Sequence, residues 1–381
     1  MTYRQVKQAL TTLFVFASLS CSAHAQVLRI GVIAPLTGGG AVWGMAAAEA
    51  PQIIAARINA KGGLLVGAKR YPIKVIAYDD HYKAADCLAA YNRLVNEDRV
   101  RYLILLDSPG TMAVKPDVER DKILTLTSAT TPNALDANTH YMFRIFSVAL
   151  DYLPGAIAWI HNNYQQRRIV IVNPNDETGW SQDKMTVPLF RKNGFDVVSH
   201  PLYDRSQANF QPLFTRIIAE KPDVIDLGTT PPATAGLMLR QARELGYTGL
   251  FIKTGGAAPH EMVKVAGKKA AEGLVTMLFA DPDNAAYRKL ADEYVKDVGH
   301  KPNAVLVPFY DAVNVLLRAI QNAGTVSNTG IVAKAIPNVL PMKSLLGDTL
   351  TLGGVADHQI MTVNFIGVIK NGLPRVVAKI G

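Results

Sequence analysis

The chain has 381 residues, 49% of them hydrophobic and 19% charged, with a formal net charge of +9. A hydrophobic fraction near one half excludes an intrinsically disordered chain, and the length favours two domains of ordinary size, each burying its own core. The cations are dispersed, with pairs such as Arg167-Arg168 and Lys268-Lys269 far apart, which argues against a nucleic-acid reader and for a solvated surface with a mild preference for anionic solutes.

The N-terminus reads as an export signal. Arg4 and Lys7 give a positive end, residues 10–19 form a short apolar run, and Ala23-His24-Ala25 offers a small-residue cleavage site before Gln26. A run of about ten apolar residues cannot span a bilayer. Cys21 follows Ser18-Leu19-Ser20 and so lacks an aliphatic residue three positions ahead, which argues against a lipid anchor. Cleavage after Ala25 predicts a soluble extracytoplasmic chain. Cys87 is then the last cysteine, excluding an internal disulfide even where the compartment permits one. It reads as a small packed helix residue.

Beyond the leader, β-branched runs alternate with amphipathic stretches: strand 29–34, helix 46–59, strand 73–78, helix 84–96 and strand 102–106. This is the rhythm of parallel βαβ units. Pro51 should kink the first helix or shift its start. The rhythm resumes with helices 153–163, 182–193, 210–220 and 235–245 between strands 169–173, 197–202, 224–227 and 250–253. A strand-like run at 273–277, helices 285–298 and 305–323, and a strand at 361–369 complete the two halves. The linkers Phe146-Ser147, Ala280-Asp281-Pro282 and Ala356-Asp357-His358 divide the chain into a signal peptide, 1–25, a first lobe, 26–146 with 280–357, and a second, 147–279 with 358–381. The expected fold class is α/β, two doubly wound parallel-sheet lobes joined by a three-segment hinge.

Enzyme signatures fail. His260-Glu261 opens like a zinc-hydrolase helix, but Lys264 stands where the second histidine is required. Gly62 and Gly67 have phosphate-loop spacing, but Ala68 replaces the lysine. Gly38, Gly39, Gly40 and Gly44 miss the dinucleotide spacing, and Leu106 stands where a nucleophile elbow around Ser108 needs glycine. Asp79, Asp80 and His81 suggest a hydrolase, yet they read better as a strand end, because no nucleophile or metal ligands converge on them.

What remains are turns at the carboxyl ends of strands, where wound sheets leave a crevice. They are residues 38–44 with Trp43, Ser108-Pro109-Gly110-Thr111, and Thr127-Ser128-Ala129-Thr130-Thr131. Hydroxyl-rich turns with exposed amides suit a carboxylate, although Thr111 and Thr131 serve equally well as helix caps. Trp43 and Trp180 offer flat apolar surface, and Tyr82 and Phe279 fit either core or cleft rim.

The segments Gly31-Val32-Ile33-Ala34-Pro35-Leu36-Thr37-Gly38, Ile58-Asn59-Ala60-Lys61-Gly62-Gly63, Tyr78-Asp79-Asp80, and residues 239–246 together resemble the periplasmic leucine/isoleucine/valine-binding proteins of ABC transporters. Ala271-Glu272-Gly273-Leu274 and Tyr310-Asp311-Ala312 extend the likeness. The resemblance implies a type I periplasmic-binding-protein fold that captures ligand by hinge closure. By position, Trp43 stands where the family places an aromatic over the ligand. Ser108, Pro109, Gly110 and Thr111 match the first carboxylate-binding turn, and Ala129, Thr130 and Thr131 the second. Thr178 falls where an aromatic is common, Thr230 or Pro231 where a tyrosine is common, and Gly255 where an acid meets the ligand ammonium. Without that acid a buried α-ammonium lacks its partner, so the expected ligand is a carboxylate without an α-amino group. The disulfide common in relatives would join positions held here by Tyr82 and Ser108.

The expected function is thus a monomeric periplasmic receptor, without cofactor or metal, that delivers a small carboxylate to an inner-membrane ABC permease. A ligand-sensing module for a membrane sensor, branched-chain amino acid binding and a periplasmic hydrolase are the alternatives. A transcription regulator is disfavoured for want of an N-terminal DNA-reading helix pair.

Overall fold

The computed structural model describes residues 26–256, 258–302, 305–354 and 357–380; the signal segment lies outside them. An eight-stranded sheet and a seven-stranded sheet form the two lobes. In the first, strands Leu28–Ala34, Ile73–Asp79, Tyr102–Leu105, Leu124–Thr127 and Met142–Arg144 run parallel, with Leu28–Ala34 between Ile73–Asp79 and Tyr102–Leu105. In the second, strands Arg168–Ile171, Val224–Asp226, Leu250–Lys253 and Val275–Leu278 are parallel, and the hairpin Asn364–Lys370/Leu373–Ile380 is added antiparallel. The doubly wound α/β expectation therefore holds.

Both sheets are covered on both faces, which is why their strands are nearly continuous apolar runs. Val32 enters one first-lobe core while its neighbour Ile33 enters the other, as the two-residue period of a strand requires. Val170 and Ile171 divide between the two second-lobe cores in the same way.

Helices Ala84–Asn96 and Ala285–Val298 keep their expected bounds. The first helix starts earlier than its apolar pattern suggests, spanning Ala41–Asn59 with Pro51 inside it. A glycine turn at Gly38–Gly40 feeds directly into it. A Cβ on Gly44 would stand 2.1 Å from the Pro35 carbonyl oxygen, so glycine permits the helix to press on the strand end. Helices Ser108–Asp121 and Thr329–Val339 and the C-terminal strand Leu373–Ile380 extend the reading made from sequence.

The run at 361–369 is not one strand. Gln359–Met361 belongs to the first sheet, beside Arg144, and Asn364–Lys370 to the second. The chain thus changes sheets at Thr362-Val363 and not at Ala356-Asp357-His358. Ser147 fixes this crossing to the first one: its Oγ donates to Thr362 O (2.8 Å) and accepts from Thr362 N (2.9 Å). Phe146 and Phe279, from the first and second crossings, pack as a tilted pair with centroids 4.9 Å apart.

The interlobe cleft as candidate functional site

The strands of each sheet end toward a shared cleft, which holds a cavity of about 60 Å³, several times the ~10–15 Å³ one water requires. Trp43, Tyr82, Phe146, Tyr152, Phe279 and Phe309 supply aromatic walls. Ser108, Ser128, Thr130, Thr178 and Thr229 supply hydroxyls. Among the described residues, no Asp, Glu, Lys or Arg lines it.

Of the residues expected from sequence, Trp43, Ser108, Thr130 and Thr178 reach this cavity. The remainder stand behind it or away from it. Thr111 is buried and shares a 2.9 Å hydrogen bond with Thr127 Oγ1. Gly110 packs on Cys87, where a Cβ would lie 2.7 Å from Sγ. Pro109 occupies the first turn of its helix, a position that needs no N–H. Pro231 caps helix Pro232–Glu244, and Thr230 is buried with its hydroxyl toward Tyr203. Trp180 is 47% exposed, its indole N–H on Asn175 Oδ1.

The amides of the two hydroxyl-rich turns are not exposed donors. Gly110 N donates to Asp107 Oδ1 (2.7 Å), Thr111 N to Asp107 O, and Ala129 N to Thr127 Oγ1 (3.0 Å). Thr130 N and Thr131 N both donate to Ser108 Oγ, at 3.1 and 3.2 Å. Side chains within the turns capture these amides before a ligand arrives, as Ser, Thr and Asp do at helix starts. What they present instead are hydroxyls. Ser108, having accepted two amides, keeps its own hydrogen to donate, and Thr130 Oγ1 is buried without a partner.

Several groups behind the walls were not legible in sequence. Arg144 is buried and donates to Ala129 O (2.9 Å), Thr131 O (2.6 Å) and Gln359 Oε1 (3.0 Å), fixing the second turn to the hinge strands. Burial holds its pKa down to about 10. Asp80 and Asp107 face each other beneath Ser108, each with an Oδ2 that has no other partner. Desolvation, reinforced by the neighbouring Asp107 charge, pushes Asp80 well above the usual carboxylate range, so the pair holds one proton between them. Asp79 is spent on structure, accepting from Leu36 N (2.9 Å), Thr37 Oγ1 (2.6 Å) and His81 N (2.8 Å). Phe146 and Phe279 carried a usable signal, since crossing segments border the cleft.

The lobes touch across the cleft. The Arg205 guanidinium lies 3.7 Å above the Tyr82 ring and pairs with Asp176. Thr131 Oγ1 donates to Glu177 Oε1 (2.7 Å) and accepts from Ser181 Oγ (2.8 Å). Tyr82 OH meets Thr178 Oγ1 at 3.4 Å. With no cysteine at 82 or 108, packing and hydrogen bonds hold this corner: Tyr82 adopts φ 62, its N–H on Asp80 Oδ1 (2.9 Å). At the position of the missing acid, a Cβ on Gly255 would lie 2.6 Å from Thr229 Cγ2.

Two wound lobes, three crossings and an aromatic- and hydroxyl-lined pocket at the strand ends define a two-lobed α/β solute-binding protein. The chain belongs to the periplasmic binding protein family, whose model matches residues 27–372. It is 26% identical over 359 residues to the Leu/Ile/Val-binding protein BraC3 of Rhizobium johnstonii, covering 94% of this chain and 95% of the relative. The fold is similar to that of leucine-binding protein LivK of Thermotoga maritima, with TM-score 0.81 at 22% identity, covering 93% of this chain and 99% of that one. It is also similar to an ABC transporter solute-binding protein of R. palustris in complex with benzoate, with TM-score 0.79 at 18% identity, covering 93% and 96%.

Proposed function

We propose that this chain is a soluble periplasmic receptor that captures a small carboxylate without an α-amino group, an aromatic or short organic acid, and hands it to an ABC permease. The observation that carries the reading is the lining of the cavity: six aromatic rings and five Ser and Thr hydroxyls, with no acidic residue among the described residues to pair an ammonium. Leaving an α-ammonium unpaired in such a site costs several kcal/mol, whereas a flat ring loses little on entering it. Ser108 and Thr130 donate to the carboxylate from the first lobe, and Ser108 passes on the polarisation of two amides. Trp43 and the hinge phenylalanines clasp the ring. The solved relative holding benzoate is consistent with this chemistry. Nothing in the cleft acts on the ligand, and its capture favours the closed form that a permease reads.

Calorimetry with benzoate, 3,4-dihydroxybenzoate and leucine tests the proposal. Micromolar or tighter binding of an aromatic acid is expected. Tight leucine binding with no acid binding rejects it.

A further inference from the structure

Behind the second-lobe wall lies a cation with no role in the hydroxyl scheme. Lys253 ends strand Leu250–Lys253 and is fully buried. Its Nζ donates to Gly228 O (3.0 Å) and to Gly255 O, and stands 5.7 Å from the centre of the Trp43 ring. Of the residues that line the cavity, Trp43 lies over Lys253, and Thr229 and Gly256 follow its two acceptors, Gly228 and Gly255, in the chain. Four other groups bear on it. Asp226 commits its oxygens to Gly228 N (2.9 Å), Thr254 N (3.1 Å) and Thr254 Oγ1 (2.6 Å). Arg205 opposes its charge. The Tyr152 hydroxyl is held on Thr254 O (2.9 Å), and Trp43 covers it from the other lobe.

We propose that Lys253 sets the charge specificity of the cleft, rejecting a ligand ammonium, favouring an anion, and taking up a proton as that anion binds. The inference rests on the carboxylate reading above. Where an acid would receive an ammonium, the turn has no room for a side chain at Gly255, and its carbonyl already serves Lys253. An incoming ammonium therefore meets a like charge and spent acceptors, and an anion meets the Lys253 charge, which the buried Asp226 carboxylate offsets only in part, in a desolvated site. Desolvation brings the lysine down to about 7, so its protonation responds to the charge placed above it. An anion raises that value; affinity is then full below pH about 7 and falls as pH rises through it.

The test is calorimetry of benzoate binding to the wild-type protein and to K253M, from pH about 6 to about 9, in buffers of different ionisation enthalpy. Wild type is expected to take up protons near neutral pH and to lose affinity as pH rises. K253M is expected to bind about tenfold more weakly at low pH and with no proton uptake near neutrality. The Asp80–Asp107 pair remains in K253M, so its titration is common to both profiles. Benzoate binding by wild type without proton uptake and with a flat profile overturns the role of Lys253 and leaves the carboxylate reading standing, a result that does not depend on the variant folding. K253M binding like wild type does the same. A wild-type protein that binds leucine and neither aromatic acid overturns both.

Discussion

Gly256 and Trp43 meet across the cleft so closely that a Cβ on the glycine would fall 2.5 Å from the indole Cζ2, and Gly256 holds φ 65. G256A should push Trp43 out of place, weaken benzoate binding at least tenfold, and cost about 1–2 kcal/mol of stability; calorimetry and urea melts separate the two effects. Asp80 makes a pH prediction. Its folded pKa lies above the unfolded value of about 3.9, so the stability of the protonated pair is present in acid and lost as pH climbs toward the folded value. D80N keeps that site neutral and retains the acceptor for Tyr82 N. The variant should gain about 1–3 kcal/mol over wild type between pH about 5 and about 9, read by melts across that range. Equal pH dependence in both proteins would refute the shared proton. Trp43 was visible in sequence because its turn is glycine-flanked. The Asp80–Asp107 contact was not, because it joins the ends of two strands and depends on their pairing with a third.

The turns after strands Tyr102–Leu105 and Leu124–Thr127 show how elements build the site. Sequence identified both turns from their Ser, Thr and Gly content and placed their amides at the ligand. Folding spends those amides on Asp107, Thr127 and Ser108, a choice among equivalent oxygens that only the tertiary register makes. Arg144 holds the second turn by two of its carbonyls. R144M leaves these acceptors and Gln359 Oε1 unpaired and should cost about 3–5 kcal/mol, measured by chemical denaturation, with binding reduced in the fraction that stays folded. Helix Ala84–Asn96 was read to the residue because one stripe, Cys87, Ala90, Tyr91 and Leu94, is buried. Helix Ser108–Asp121 was read only as a turn, since Val114 and Val118 are its only large apolar residues buried and it is anchored by capping.

At the scale of the molecule, closure rests on small residues at the cleft lip. A Cβ on Gly39 would stand 2.5 Å from Thr234 Oγ1 and 3.5 Å from Pro231 Cβ of the other lobe. G39V should therefore hold the lobes apart while leaving each core intact. X-ray scattering should show a larger radius of gyration, benzoate should no longer compact the protein, and the melting temperature should stay within a few degrees. Compaction on benzoate as in wild type would show that this contact does not limit closure. The hinge is stitched by Ser147 to Thr362 and by Phe146 to Phe279, so closure should be a rotation of two rigid bodies about tied strands.

The alternation of apolar strands and amphipathic helices and the family motifs determined the α/β class, the two wound halves and the receptor reading, because those signals are local and periodic. Tertiary structure decided where the third crossing falls, which hydroxyls face the cavity, and that a buried lysine stands behind it. Each depends on contacts between segments far apart in the chain, and a continuous apolar run such as 361–369 has the same pattern whether it stays in one sheet or passes between two.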